Sequence, residues 1–144
     1  MIKLIVVGKI KETYLVNMIE DYLKRVNKYH KAEILEIPDN NKITEGEKIL
    51  RKIEKKAFNV ALSINGTQLN SLEFSKFITD TLMMKANINF IIGGSDGLSD
   101  EVIKNVDLEI SFSKLTFPHG LFRAVLLEQI YRGFKILNNE TYHK

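Results

Sequence analysis

Four short stretches hold residues that could do chemistry. The first is "IIGGSDGLSDE", where Gly93, Gly94 and Gly97 follow an apolar run. Glycines there let the backbone turn sharply and let a ligand approach closely. The spacing matches neither the GxGxxG dinucleotide fingerprint nor a phosphate loop, since no GK[ST] follows. The second is "SFSKLTFPHG", rich in Ser and Thr, whose backbone N–H and C=O groups could serve a small ligand. The third is the pair His119 and Arg123, four residues apart at the start of the last helical pattern. Both fall inside an apolar arc. A cation and an imidazole are costly there unless they have partners or face a cleft. They are either a satisfied structural pair or an anion-binding or acid–base pair. The fourth is the tail "NETYHK", with Tyr142 beside His143. Chain ends usually fray, so this tail is either filler or an arm that reaches back into a site.

Alternating strand and helix patterns must position these residues. Five apolar, β-branched runs read as strands: Ile2–Val7, Ala32–Ile37, Asn59–Ile64, Ile88–Ile92 and Leu108–Phe112. Several are apolar at consecutive positions, which suits strands covered on both faces. Helical periodicity predicts helices over Glu12–Tyr29, Thr44–Ala57, Leu72–Lys85 and His119–Leu137, with a short one after Ser99. Thr44 with Glu47, and Asn70 with Glu73, have the spacing of capping boxes. Ser99 with Asp100 and Glu101 supplies a cap and negative charge to the short helix. "PDNNKITEGE" reads as a mobile polar loop. The alternation predicts a single α/β domain over 1–144, a mostly parallel sheet flanked by helices. Ligands of such sheets bind at the carboxyl ends of the strands, where the glycine turn and the "SFSKLTF" stretch fall.

The last helix carries a broad apolar arc of Phe122, Val125, Leu126, Leu127, Ile130, Phe134, Ile136 and Leu137. Its polar arc is Ala124, Glu128, Tyr131, Arg132 and Lys135. So wide an apolar arc points to burial on two sides, one of them a second subunit.

Composition limits the function classes. The 144 residues are 44% hydrophobic and 27% charged, as in a soluble globular domain. No apolar run is long enough to span a bilayer. The first residues are too quickly charged for a signal peptide. Cysteine is absent, which excludes disulfides, thiolate zinc sites and cysteine nucleophiles. Three scattered histidines give no metal-ligand cluster. The net charge of +3 is uneven: residues 1–60 hold 13 Lys and Arg against 9 Asp and Glu, residues 61–144 hold 8 against 9. A basic first half fits either a polyanionic partner such as RNA or a solvated lysine-rich helix surface.

Together "VVGKIKETY", "EIPD", "LSINGTQLNS", "IIGGSDGL", "SFSKLTFPHGLFRAVLLEQIYRGFKI" and the terminal "YHK" resemble the RlmH (YbeA-like) family of ribosomal RNA methyltransferases over the whole chain. The loop "NNKITEGE" is shorter than is common in that family. The resemblance implies a SPOUT (α/β-knot) methyltransferase fold with a C-terminal trefoil knot, and a cytoplasmic homodimer packed through the knot region. It implies methyl transfer from S-adenosylmethionine to N3 of a pseudouridine in helix 69 of 23S rRNA, on the assembled ribosome. It further implies cofactor contacts at Leu62, Gly93, Phe112, Ser113, Lys114, Leu115, Thr116 and Phe117. Candidate catalytic residues are His119, Arg123, Tyr142 and His143. Arg123 is expected to bind an anion, a histidine to accept a proton, and Tyr142 to stack on or hydrogen-bond the target base. No metal and no membrane are implied. The rivals are a methyltransferase of this fold with another acceptor, and a ribosome-binding protein without catalysis.

Overall fold

The computed structural model describes all residues from 1 to 144. Along the chain run β1 (Ile2–Val7), α1 (Thr13–Asn27), β2 (Ala32–Ile37), α2 (Lys42–Lys52) and β3 (Phe58–Gln68). They continue with α3 (Ser71–Met84), β4 (Ile88–Ile92), α4 (Asp100–Lys104), β5 (Leu108–Ser111) and α5 (His119–Leu137). The five strands form one sheet in the order β2-β1-β4-β3-β5. Every pairing is parallel.

The strand order decides which face each helix covers. Crossovers between parallel strands are right-handed, so steps in opposite directions along the sheet put their helices on opposite faces. Steps β1→β2 and β3→β4 run one way and place α1 and α3 on one face. Steps β2→β3 and β4→β5 run the other way and place α2 and α4 on the second. The cores follow. On one side Ile2, Leu4, Phe90 and Val60 pack with Phe74, Leu126, Leu127 and Ile130. On the other Ile5, Val7 and Ile91 pack with Ile49 and Val102.

Helix α5 lies against both α1 and α3. Its wide apolar arc is therefore largely consumed within the chain, by the sheet and two flanking helices. Ala124 and Tyr131, expected on its polar side, are buried. The width of the arc no longer argues for a second subunit, because one chain already supplies the two covers.

Local differences from the sequence expectation have local causes. Helix α2 starts two residues early because Asn41, not Thr44, is its cap: the Asn41 side chain accepts from the Thr44 backbone N–H at 2.8 Å. It stops at Lys52, with Ile53 already extended. Six of the ten residues of the loop expected to be mobile are thus helix. The Asn70–Glu73 capping box and the Ser99 cap both form. Strand β3 runs on to Gln68 through an irregularity: Leu62 and Thr67 both pair with Ile110. The four residues between them leave the ladder. Gly66 makes this possible, since a Cβ there would lie 2.6 Å from the backbone carbons of Glu109 and Ile110.

If Asn41 is the cap, Asn41→Ala lowers stability by about 1 kcal/mol in chemical denaturation. Thr44→Ala then costs under about 0.5 kcal/mol, as for an ordinary surface change.

Candidate active site

All five strands are parallel, so their carboxyl ends share one edge. The largest cleft, about 630 Å³, opens there. Its walls come from three places. The β3 residues that leave the β5 ladder contribute Ser63, Ile64 and Asn65 beside Leu62. The turn after β4 contributes Gly93 to Leu98. The approach to α5 contributes Thr116, Phe117, His119 and Phe122. A smaller apolar pocket of about 130 Å³ adjoins it, between Leu62, Ile64, Phe112, Leu115 and Phe117.

The glycine turn is shaped by its own backbone. The Gly97 N–H donates to the Gly94 carbonyl at 3.0 Å, closing a turn in which Gly97 takes φ +78°. A Cβ on Gly93 would meet the Gly97 carbonyl carbon at 2.6 Å. The turn is also braced from behind. Glu45 of α2 is buried, accepts from the Asn40 backbone N–H at 2.8 Å, and with Val7 packs tightly behind Gly94, where a Cβ would lie 3.1 Å from Val7 and 3.2 Å from the Glu45 carboxylate.

The eight expected cofactor residues separate cleanly. Leu62, Gly93, Phe112, Ser113, Leu115, Thr116 and Phe117 line one or both of these cavities. Lys114 lines neither and is exposed. Sequence reading missed Ser63, Ile64, Asn65 and Phe122. Gly66 was the available signal for the first three, because a lone glycine late in a strand pattern marks a bulge.

The four expected catalytic residues do not assemble within one chain. His119 lies in the cleft. Arg123 does not reach it. Its side chain is 2% exposed, and both terminal guanidinium nitrogens are engaged within the protein while the buried Nε has no partner. One guanidinium nitrogen bonds the Glu36 carboxylate at 2.9 Å. The other donates to the carbonyls of Val7 and Gly8, at 3.0 and 2.7 Å. The anion Arg123 binds is therefore Glu36, and the expectation of an RNA phosphate or a catalytic base is corrected. Burial draws the guanidinium down from its ordinary pKa, and the Glu36 hydrogen bond and charge oppose that shift.

Tyr142 and His143 sit far from the cleft of their own chain. His119 and Arg132 are thirteen positions apart on α5, about 20 Å along a helix. The tail is docked there rather than frayed. The Tyr142 hydroxyl donates to Glu128 at 2.9 Å, and Glu128 also pairs with Arg132. Arg132 lies over the Tyr142 ring, 4.8 Å from its centroid. The Arg132 guanidinium and His143 Nδ1 are 3.1 Å apart. Arginine can only donate, so Nδ1 accepts and the imidazole proton sits on Nε2. Burial, followed by the Glu128 carboxylate, pushes the Tyr142 phenol well above its ordinary value.

The comparisons with known proteins bear on this arrangement. Residues 1–143 match a family model described as "Predicted SPOUT methyltransferase". Ribosomal RNA large subunit methyltransferase H of Enterococcus faecalis is 49% identical, with 99% of each chain covered. The protein of the same name from Carboxydothermus hydrogenoformans is 45% identical over the same shares. The chain belongs to the SPOUT methyltransferases and, among them, to the RlmH family. The fold is shared more widely. A probable methylase family protein from Haemophilus influenzae superposes with a TM-score of 0.61 at 10% identity, covering 99% of this chain and 70% of that one. The SpoU methyltransferase AviRb from Streptomyces viridochromogenes, solved with AdoMet, gives 0.50 at 11%, over 90% and 56%. No helix is long and apolar enough to cross a membrane.

Removing Arg123 leaves two carbonyls unpaired, while Glu36, 46% exposed, can turn to water. Arg123→Ala is expected to cost about 2–4 kcal/mol in chemical denaturation, chiefly from the unpaired carbonyls. Arg123→Lys should recover only part of that, because an ammonium cannot reproduce the guanidinium fork. The raised phenol gives a second test. Tyr142 favours its protonated form when docked, so its contribution is complete below the ordinary tyrosine value of about 10 and fades as pH rises beyond it. In an absorbance titration Tyr142→Phe should remove the most alkaline-shifted of the five tyrosines.

Proposed function

We propose that this protein is a cytoplasmic, homodimeric methyltransferase of ribosomal RNA. It uses S-adenosylmethionine to methylate N3 of a pseudouridine in helix 69 of 23S rRNA on the assembled ribosome. The observation that carries the reading is the cleft at the carboxyl edge, lined by the residues the RlmH resemblance marks for the cofactor. The relatives that share nearly half its residues along their whole length are themselves methyltransferases of large-subunit rRNA by name.

The walls fit the group. Leu62, Phe112, Leu115 and Phe117 offer apolar surface for a purine. The glycine turn and Thr116 place backbone polar groups beside it, as nucleotide-sized sites require. When bound, the cofactor supplies a methyl group already activated on a sulfonium. The chain's task is then to align an acceptor nitrogen and remove its proton. His119 is the cleft's own imidazole and serves as the base or as a donor to the ring oxygens. Arg123 is a positioning residue, holding the start of α5 against the ends of β1 and β2.

The tail enters through the dimer. Its docking site and the cleft lie at opposite ends of α5, so no single chain brings Tyr142 and His143 to His119. Two copies packed with their α5 helices antiparallel place each tail beside the partner's cleft. Exposed apolar residues around the cleft, Leu115 at 74% and Ile64 at 56%, favour such a contact. The family's trefoil knot belongs to the same reading, in the segment from Gly93 to the tail.

The deciding experiment incubates the protein with radiolabelled S-adenosylmethionine and ribosomes from a strain lacking its own enzyme of this family. Label on the helix 69 pseudouridine, lost when pseudouridylation is blocked, establishes the reaction; cofactor binding without label overturns the acceptor. His119→Ala should lower turnover by about 100-fold or more while cofactor binding by calorimetry is kept. Deleting Tyr142–Lys144 should abolish methylation without unfolding the protein. Full activity in the truncated protein would remove the tail from the site.

A further inference from the structure

The parallel sheet has a second edge. The amino ends of all five strands lie together, opposite the cleft. Their order is fixed by backbone hydrogen bonds: Ile2 N–H to the Lys31 carbonyl, Ile88 N–H to that of Met1, and Phe58 N–H to that of Asn87. The segments that lead into the strands are 28–31, 53–57, 85–87 and 105–107. They carry Lys28, Lys31, Lys55, Lys56 and Lys85 against Glu54 and Asp107.

None of these five lysines is in an ion pair. The acids nearby are occupied or outnumbered. The Asp107 carboxylate accepts from the Asn59 backbone N–H at 2.8 Å. Glu140, which reaches this end of the molecule from the tail, is held by Lys135 at 2.8 Å. The segments along the cleft edge, 8–12, 38–41, 93–99 and 112–118, are balanced instead, with Lys9, Lys11 and Lys114 against Glu12, Asp39 and Asp96. The positive charge of the molecule is thus concentrated away from the cleft. The strands bearing Lys31 and Lys56 are three places apart in the sheet, about 14 Å at the usual spacing. Beside Lys85 stand Met83 and Met84, 85% and 83% exposed.

We infer that the amino edge of the sheet is the surface that holds the rRNA phosphate backbone. This inference rests on the rRNA reading above. Unpaired lysines in a row, without acids to neutralise them, suit a polyanion and steer it from a distance. The placement also suits the dimer. Helix α5 runs against the strands, so its tail end is at the amino edge and its His119 end at the cleft. Antiparallel α5 helices bring the basic edge of one protomer beside the cleft of its partner. An RNA strand entering one cleft continues onto the lysines of the other protomer.

The test measures binding of the full-length protein to assembled, unmodified ribosomes by cosedimentation at several salt concentrations. The triple variant Lys55→Ala, Lys56→Ala, Lys85→Ala is compared with wild type. Each lost phosphate contact should lower the slope of log K against log salt by about 0.7–0.9. The triple variant should therefore bind roughly tenfold or more weakly at low salt and with a slope shallower by about two. Its affinity for S-adenosylmethionine should be unchanged, which also reports that it is folded. Replacing the same three residues by arginine should restore binding. Equal affinity and equal slope in the alanine variant overturn the inference. Weaker binding with an unaltered slope overturns it too, because the lost contact is then not with phosphate. Failure of the wild type to bind ribosomes at all is a different result: it removes the rRNA reading itself.

Discussion

The arrangement of the cleft depends on one buried guanidinium. Arg123 projects from the first turns of α5 and binds the carbonyls of Val7, the last residue of β1, and of Gly8 just past it, and the Glu36 carboxylate on β2. Three acceptors from two neighbouring strands are thereby tied to a single helix. Gly8 can present its carbonyl there because it takes φ +92°, and a Cβ on it would lie 2.9 Å from the Asp39 carboxylate. A charge at this depth is tolerable only with such partners. In return the start of α5 cannot slide along the sheet, and His119, one turn earlier, is fixed at the cleft wall.

A second constraint acts through the β3 irregularity. A regular ladder with β5 would have kept residues 63–66 in the sheet and closed the space above Leu62. Because Leu62 and Thr67 pair with the same residue of β5, the intervening four residues turn outward and form a wall. Backbone crowding at Gly66 permits this geometry only without a side chain. The glycine turn after β4 faces that wall, braced by Glu45 from the other side of the sheet. Two short departures from regular structure thus create the cavity.

Much of this was legible in the sequence, and the rest failed for identifiable reasons. Period and length located all five strands and gave α5 its two ends, because apolar runs bounded by turn residues carry that information directly. The capping box at Asn70 and Glu73 was read correctly; at α2 the same rule chose Thr44 over Asn41, since both residue types cap helices and spacing alone did not separate them. The broad arc of α5 was correctly seen as buried on more than one side. Its cover was assigned to another subunit because periodicity shows that a face is buried, not by what. The sequence leaves Arg123 between a structural and a functional role. Its partners, Glu36, Val7 and Gly8, are more than 80 residues away in sequence, and no local pattern encodes a contact of that range. The glycine turn and the "FSKLTF" stretch were read from their place at strand ends, which parallel topology makes reliable. The assignment of those residues to a methyl donor came from family resemblance, since glycine and serine spacing alone would suit many small ligands.

The polarity of α5 links the two halves of the molecule. Nineteen residues in one helix span the sheet from its carboxyl edge to its amino edge. The same helix therefore carries an imidazole at the cleft and a docked tail at the basic end. Within one chain these ends cannot meet, because a continuous helix is a rigid spacer. In a two-fold pair with antiparallel axes, each end faces the opposite end of the other copy. In the proposed dimer this small domain acquires a composite surface, with one protomer's cleft next to its partner's tail and lysines. The tail's polar cluster of Glu128, Arg132, Tyr142 and His143 is folded and hydrogen-bonded within one chain before any substrate arrives. That pre-organisation reduces the ordering cost of binding, and it explains why a chain terminus rich in charged and aromatic side chains is docked rather than free.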